Sequence, residues 1–155
     1  MLPTAVPAVD AGILPSRHIT CPEVPTAKRQ EIATALTDRV VALFTPPRGP
    51  SAAEIRERTT VHFTPYRTAE LFIGGSEDTG SPDVTVELSD WSMSVKQQRR
   101  VAEELTPLLV ELFDTENDSV NFRFHSYPPT DFAVGGRLLS DHIPKIAQRA
   151  KKLFG

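Results

Sequence analysis

Residues 59–75 read TTVHFTPYRTAELFIGG, and residues 121–136 repeat the same pattern as NFRFHSYPPTDFAVGG. Aligned sixty-one positions apart, the two copies share apolar and aromatic residues: Val61, Phe63 and Tyr66 match Phe122, Phe124 and Tyr127. Each copy also ends in Gly-Gly. Alternating apolar residues followed by glycines predict a β-strand that leads into a tight turn.

The segments before these strands repeat as well, sixty-nine positions apart. Each copy has an apolar stripe at four-residue spacing, which predicts one buried helix face. The stripes are Ile32, Leu36, Val40 and Phe44, and then Val101, Leu105, Leu109 and Phe113. A short alternating strand is predicted before each helix, at Arg17, Ile19 and Cys21 and again at Val84, Val86 and Leu88. The repeated unit is therefore strand, helix, strand.

The duplication predicts an α/β fold made of two tandem β-α-β units. Parallel strands within a unit need a crossover connection, and two units side by side give a four-stranded sheet with both helices on one face. We expect the units at about residues 15–75 and 84–136 of one domain, residues 15–140. An extended arm, residues 1–14, precedes this domain, and a C-terminal helix, residues 141–155, follows it.

Capping residues predict where the helices begin. Thr26 is the expected N-cap of the first long helix, and Ser92 or Ser94 that of the second. Ser51 and Glu54 have the spacing of a capping box, which predicts a short helix just before the repeated strand.

Composition excludes several classes of function. The 155 residues include 17 Lys and Arg against 20 Asp and Glu, for a net charge of −3, and basic residues cluster only in the last dozen positions. Neither a nucleic acid nor a membrane partner is therefore expected. The single cysteine, Cys21, cannot form an internal disulfide, which favours a reducing compartment. Because the first sixteen residues lack Lys and Arg, a signal peptide is not indicated, and we predict a cytoplasmic protein.

The four histidines show no metal-ligand spacing, so no metal or other cofactor is expected. His18 and His62 each alternate with apolar residues in a predicted strand, which places them on the same sheet face as Arg123. Either histidine is a candidate acid or base. The alternative for both is an ordinary hydrogen-bonded strand residue.

This order of elements resembles the tautomerase superfamily in its long, two-unit form. The resemblance covers residues 15–140 and is carried by the motifs Pro25-Thr-Ala-Lys28, Val61-His-Phe63, Phe72-Ile-Gly-Gly75 and Ser94-Val-Lys96, together with residues 121–136. It implies a homotrimer in which three sheets face inward. It also implies a small carboxylate-bearing substrate.

The resemblance places the family's catalytic proline at Pro15. In the family this proline is the first residue, and its secondary amine moves a proton between carbon and oxygen of an enol. Here Leu14 precedes Pro15, so the nitrogen is an amide without a basic lone pair. Proteolysis that exposes Pro15, or an arm that brings the Met1 amine into the site, would restore an amine. Otherwise a side chain is the base, or there is no catalysis.

Three further residues are substrate-binding candidates, two of them at positions that the resemblance implies. Arg123 occupies the family's inward polar position on the last strand, and its guanidinium suits a carboxylate; a surface or intersubunit salt bridge is the alternative. Arg48 is a looser candidate. Trp91 is expected either to line an apolar pocket or to lie in the core. Dehalogenation is not supported, because Val134 occupies the position of that branch's glutamate.

Three functions follow as hypotheses. The first is a tautomerase or isomerase-like enzyme that moves a proton on an enol or α-keto acid in an intersubunit pocket. The second is a non-catalytic trimer that serves as a scaffold or ligand-binding module, because the proline is blocked. The third is addition or cyclisation chemistry with a side-chain base. We expect the arm to lie ordered across its own or a neighbouring subunit's surface and to occlude the proline pocket, and testing this distinguishes the three hypotheses.

Overall fold

The computed structural model describes residues 16–49, 51–67, 69–77, 82–90, 93–131 and 133–142. In chain order the helices and strands are β1 (Ser16–Pro22), α1 (Thr26–Phe44), α2 (Ala52–Arg58), β2 (Thr60–Tyr66), β3 (Phe72–Ile73), β4 (Ser76–Glu77), β5 (Val84–Asp90), α3 (Val95–Phe113), β6 (Val120–Ser126), β7 (Ala133–Val134), β8 (Arg137–Leu138) and α4 (Leu139–His142). The expected arm, Pro15, Trp91 and most of the expected C-terminal helix lie outside the described residues.

The four long strands form one mixed sheet in the order β2-β1-β5-β6. Within each repeated unit the two strands are parallel, β1 with β2 and β5 with β6. The two units meet at β1 and β5, which pair antiparallel. The sheet therefore has an approximate two-fold relation between its halves, as the internal repeat predicts.

The helices α1 and α3 cover one face of the sheet with their apolar stripes. The buried stripe residues are Ile32, Leu36, Val40, Val101, Leu105, Leu109 and Phe113, as the four-residue spacing predicts. They pack in one cluster with the inward residues of the central strands, Ile19, Cys21, Val84, Val86 and Leu88. Burying this apolar surface contributes about 25 cal/mol per Å². The predicted α/β fold, with both long helices on one face of a four-stranded sheet, is confirmed.

Two of the three predicted helix N-caps are confirmed. Ser51 and Glu54 form the expected capping box, and Ser94 forms another with Gln97. Hydrogen bonds from the backbone and side chain of Ser51 lower the pKa of the Glu54 carboxyl.

The prediction of Thr26 as N-cap is wrong, because Thr26 is already the first helical residue. Pro25 is the N-cap, and its carbonyl accepts the first helical hydrogen bond, from the Arg29 amide at 3.0 Å.

Each Gly-Gly pair forms the turn of a small hairpin. Gly74 and Gly75 have φ of 62° and 83° and join β3 to β4, and the second pair joins β7 to β8 in the same way. The expected turns are confirmed. The residues that follow, Ser76–Glu77 and Arg137–Leu138, are the second strands of these hairpins, because each Gly-Gly turn folds the chain back on itself. Helix α4 follows the second hairpin, from Leu139 to His142.

Among the described residues, no helix is long and apolar enough to cross a membrane.

Cys21 provides a test of the core. Its side chain is fully buried in β1, and burial raises the pKa of the thiol to about 11, with the nearby Arg29 opposing this in part. Because the thiolate is the reactive form, we expect no reaction with a thiol-specific disulfide reagent at pH 8 until urea unfolds the protein.

The same thiol makes the stability of the protein depend on pH. In the unfolded chain the thiol ionises near pH 9, below the pKa of the folded state, so its contribution to the free energy of unfolding is lost as pH rises from about 9 to 11. A Cys21→Ala variant should not show this loss of unfolding free energy between about pH 9 and 11. Rapid labelling of the native wild-type protein would contradict the buried position of Cys21.

The same substitution on opposite sides of α3 tests the helix packing. Val101 is 1% exposed and Val95 is 60% exposed. Changing either to Ala raises helix propensity alike, but only Val101→Ala removes buried methyl groups and leaves a cavity. We expect Val101→Ala to lower the free energy of unfolding by about 2 kcal/mol and Val95→Ala to change it by less than about 0.5 kcal/mol in urea titrations. Equal effects would mean that α3 does not pack through this stripe.

Candidate functional site

The sheet face opposite the helices carries a row of ionisable side chains, one from each long strand. The backbone register places His62 of β2 beside His18 of β1, His18 beside Glu87 of β5, and Glu87 beside Arg123 of β6. The two histidines and Arg123 are exposed, and Glu87 is partly exposed. We call these four residues the central row.

The two histidines of the central row contact each other directly. Their rings stack with centroids 4.9 Å apart and an interplanar angle of 19°. They lie directly opposite on parallel neighbouring strands, which is where cross-strand side chains meet. His18 and His62 therefore form a stacked pair across β1 and β2.

Glu87 connects the other half of the row. Its Oε1 accepts from Nη1 of Arg123 at 3.4 Å, and its Oε2 lies 3.2 Å from Nε2 of His125. His125 is two residues beyond Arg123 on β6, on the same face, and pairs in register with Ser89. Exposed pairs of this kind contribute only about 0 to 1 kcal/mol to stability. The cluster therefore adds little to the stability of the fold.

The central row reflects the internal repeat. At the repeat offsets of sixty-nine and sixty-one, His18 and His62 of the first unit correspond to Glu87 and Arg123 of the second. One unit thus supplies an imidazole pair at the positions where the other supplies a carboxylate and a guanidinium. The neighbouring positions on this face are also polar, with Thr20, Thr64, Thr85 and Asn121 on one side of the row and Thr60, Ser89 and His125 on the other.

Three of the predicted site residues are brought together. His18, His62 and Arg123 all belong to the central row, so the expectation that they share a face is correct. The alternative of a salt bridge for Arg123 is also realised, within the chain, through Glu87. Their roles in chemistry stay predictions.

The other predicted residues are not in this cluster. Arg48 lies in the exposed loop between α1 and α2, and within the described part of the chain it has no ion pair or hydrogen bond with the central row. Pro15 and Trp91 lie outside the described residues, so their roles stay predictions.

Sequence reasoning missed Glu87 and His125. The signal for Glu87 was present, because it lies sixty-nine positions after His18. His125 is two positions after Arg123, and strand alternation places the two on one face. What the sequence could not show was the contact between residues 87 and 125, which depends on the register of β5 against β6.

Arg17 lies on the opposite face of β1, towards the helices. Its side chain is fully buried, although it is charged, and the register places it between Val61 and Leu88. Buried charges are costly unless other groups stabilise them. The alternation with Ile19 and Cys21 already indicated an inward position for this guanidinium.

Among the residues that the structure describes, no three His, Cys, Asp or Glu side chains are grouped closely enough to hold a metal ion.

No protein-family model matches the sequence, and no curated protein matches it. Solved structures do resemble the fold. A fused 4-OT described as a wild-type asymmetric trimer is 14% identical with a TM-score of 0.69, covering 81% of this chain and 97% of that one. A protein called N1, from the cis-3-chloroacrylic acid dehalogenase family, is 16% identical with a TM-score of 0.63, covering 90% and 99%. Macrophage migration inhibitory factor of Toxoplasma gondii is 17% identical with a TM-score of 0.58, covering 79% and 98%.

These likenesses identify an α/β chain with duplicated β-α-β units. The chain has the fold of the tautomerase superfamily, in its long two-unit form. The resemblance expected from the sequence is thereby confirmed at the level of the fold.

Proposed function

We propose that this protein is a tautomerase or isomerase-like enzyme that moves a proton on an enol or α-keto acid, in a pocket between subunits of a homotrimer. The observation that carries this proposal is the central row, in which a guanidinium, a carboxylate and two imidazoles share the open face of the sheet. The guanidinium is suited to hold an anion, and the imidazoles are suited to take up and release a proton.

Arg123 is the anchor for the substrate carboxylate. Its side chain is 67% exposed, and Glu87 is within hydrogen-bond distance of its Nη1. A guanidinium has five N–H donors in a planar fork, so it can contact Glu87 and a substrate carboxylate together. The expected substrate is therefore a small molecule with a carboxylate next to the enol carbon.

The trimer is supported by exposed apolar residues on the hairpins and by the comparisons. Phe72 and Ile73 on β3 are 57% and 60% exposed, and Leu138 on β8 of the repeated hairpin is 41% exposed. Phe72 and Ile73 are adjacent in the chain, and neighbouring large apolar side chains that are both exposed are typical of contact surfaces. The fused 4-OT of the same fold is described as a trimer. We expect the hairpins to pack on neighbouring subunits.

The alternative function is a non-catalytic trimer that binds a ligand or serves as a scaffold. The peptide bond between Leu14 and Pro15 favours it, because the family's base is then an amide. Addition or cyclisation chemistry with a side-chain base would use the same open face. Cytoplasmic localisation and the absence of nucleic acid and membrane partners stay predictions.

The test of the enzyme proposal compares full-length protein with a version that begins at Pro15, made by removing an initiating methionine. Ketonisation of phenylenolpyruvate and 2-hydroxymuconate is followed by absorbance. We expect the full-length protein to be active, and its Pro15→Ala variant to remain active, because side chains carry the chemistry. Activity only in the shortened version would mean that a free proline is needed, and silence from both would favour the scaffold.

Arg123→Ala tests the carboxylate anchor. Because a hydrogen bond to a charged group contributes about 1.5 to 3 kcal/mol, we expect kcat/KM to fall about ten- to hundred-fold in the full-length protein. Arg99→Ala, at an exposed arginine of α3, is the matched control and should leave kcat/KM unchanged. Equal effects of the two substitutions would remove Arg123 from the site.

A sedimentation measurement tests the assembly. We expect a mass of three times the chain mass of 17.1 kDa. Ile73→Glu should shift the protein towards the monomer, because it places a charge in the expected contact. Val95→Glu is the control, since Val95 is equally exposed, at 60%, but lies at the start of α3. A wild-type mass of one chain would exclude the intersubunit pocket.

A further inference from the structure

We infer that His125 is the acid and base of this site and that Glu87 holds it in position. This inference rests on the proposed function, and it replaces the blocked amine of Pro15 with an imidazole. Neither residue belongs to the set that the sequence indicated.

The contact with Glu87 determines which nitrogen of His125 can act. Nε2 of His125 lies 3.2 Å from Oε2 of Glu87. An ionised carboxylate only accepts hydrogen bonds, so this contact assigns the proton of the neutral ring to Nε2. Nδ1 then carries the lone pair. A carboxylate that accepts from one nitrogen of an imidazole holds the ring in one tautomer and one orientation.

The groups around His125 complete the site. On β5 it is faced by Glu87 and Ser89, on its own strand by Arg123, and His18 lies in the adjoining row on β1. Alternate residues of a strand are about 7 Å apart, so a small molecule held at Arg123 reaches His125. Glu87 contacts both side chains, one through each oxygen, and so fixes the anchor and the base relative to each other.

The other two candidate histidines are less suited to this role. His18 and His62 stack on each other, and Glu87 makes its recorded contacts with β6 instead of with either of them. Among the histidines whose side chains the structure describes, His125 is the one paired with a carboxylate.

His125 also lies at the appropriate end of the sheet. Its backbone pairs with Ser89, and Ser89 pairs with Ser16, the first residue of β1. Pro15 immediately precedes Ser16 in the sequence. The imidazole is thus supplied from the same end of the sheet at which the family's proline position falls.

The proton transfer balances with one base. Nδ1 of His125 takes the enol proton as the O–H bond breaks, and the oxygen electrons form the carbonyl. The C=C electron pair then takes the same proton from Nδ1, which forms the C–H bond. One O–H bond is replaced by one C–H bond, the ring returns to its neutral form, and no other reactant is consumed.

The decisive experiment uses full-length His125→Gln and His125→Ala. A general base contributes about 10²- to 10⁴-fold, so we expect kcat to fall within that range while KM changes by less than about threefold. Added imidazole should restore part of the activity of His125→Ala. Asn121→Ala, on the same strand and face, is the control and should keep wild-type kinetics.

The role of Glu87 is tested by nitrogen NMR of the imidazole. We expect the Nε2–H form of His125 in the wild type, a mixture of both neutral forms in Glu87→Gln, and recovery of the Nε2–H form in Glu87→Asp. A wild-type ring protonated at Nδ1 would overturn the positioning role without reference to activity.

The outcomes separate this inference from the proposed function. An active wild type with an equally active, folded His125→Gln variant keeps the tautomerase proposal and overturns His125 as the base. A wild type that fails to ketonise either substrate overturns the proposed function, and with it the catalytic use of His125, whatever the NMR shows of its contact with Glu87.

Discussion

The antiparallel pairing of β1 with β5 is the constraint on which the rest of the structure depends. It joins the two repeated units into one sheet and places Ile19 opposite Val86, so that both halves face the same helices. The same register puts His18 opposite Glu87 on the open face. Because side chains alternate, a slip of one residue would move the apolar set to the open face and the charged set into the core. Core and candidate site are therefore fixed by a single pairing.

Much of the fold could be predicted because the sequence contains the same β-α-β pattern twice. The stripes of α1 and α3 have the helical period, the long strands have the alternating one, and the Gly-Gly pairs mark the turns. The predictions that were wrong or incomplete concern a helix start and the short strands of the hairpins. Thr26 looked like an N-cap, but the fixed backbone of Pro25 takes that place. Strands of two residues, such as Phe72–Ile73, are too short to show a period, so the hairpins were predicted only as turns.

The candidate site was half predictable for a different reason. His18, His62 and Arg123 follow from alternation within single strands, which a sequence shows directly. The contact of Glu87 with His125 joins residues of two strands, and its register depends on the length of the intervening helix and turns. Arg17 illustrates the opposite limit, since its position in the alternation was clear while its charge argued against burial. The alternation of residues along one strand shows which face of the sheet a side chain occupies. Its neighbours on the adjacent strands are known only once the register of the strands is known.

The duplicated halves carry different ionisable residues in the middle of the open face. An imidazole pair in one unit corresponds to an acid and a guanidinium in the other, although both occupy the middle of the same face. This asymmetry suits a site that must hold an anion at one point and move a proton at another. It also means that neither half alone carries the full set of groups.

The Gly-Gly turns explain why the repeat is still readable. A Cβ added at Gly74 or Gly75 would meet no atom of its own chain within 4 Å, so packing within the chain does not require glycine there. Both residues have positive φ, which other residues rarely adopt. The penalty for replacing them is thus conformational and independent of what surrounds the turn. Positions under such a purely local rule can stay alike while their surroundings change. The most recognisable feature of the duplication is consequently the one that says least about what the protein does.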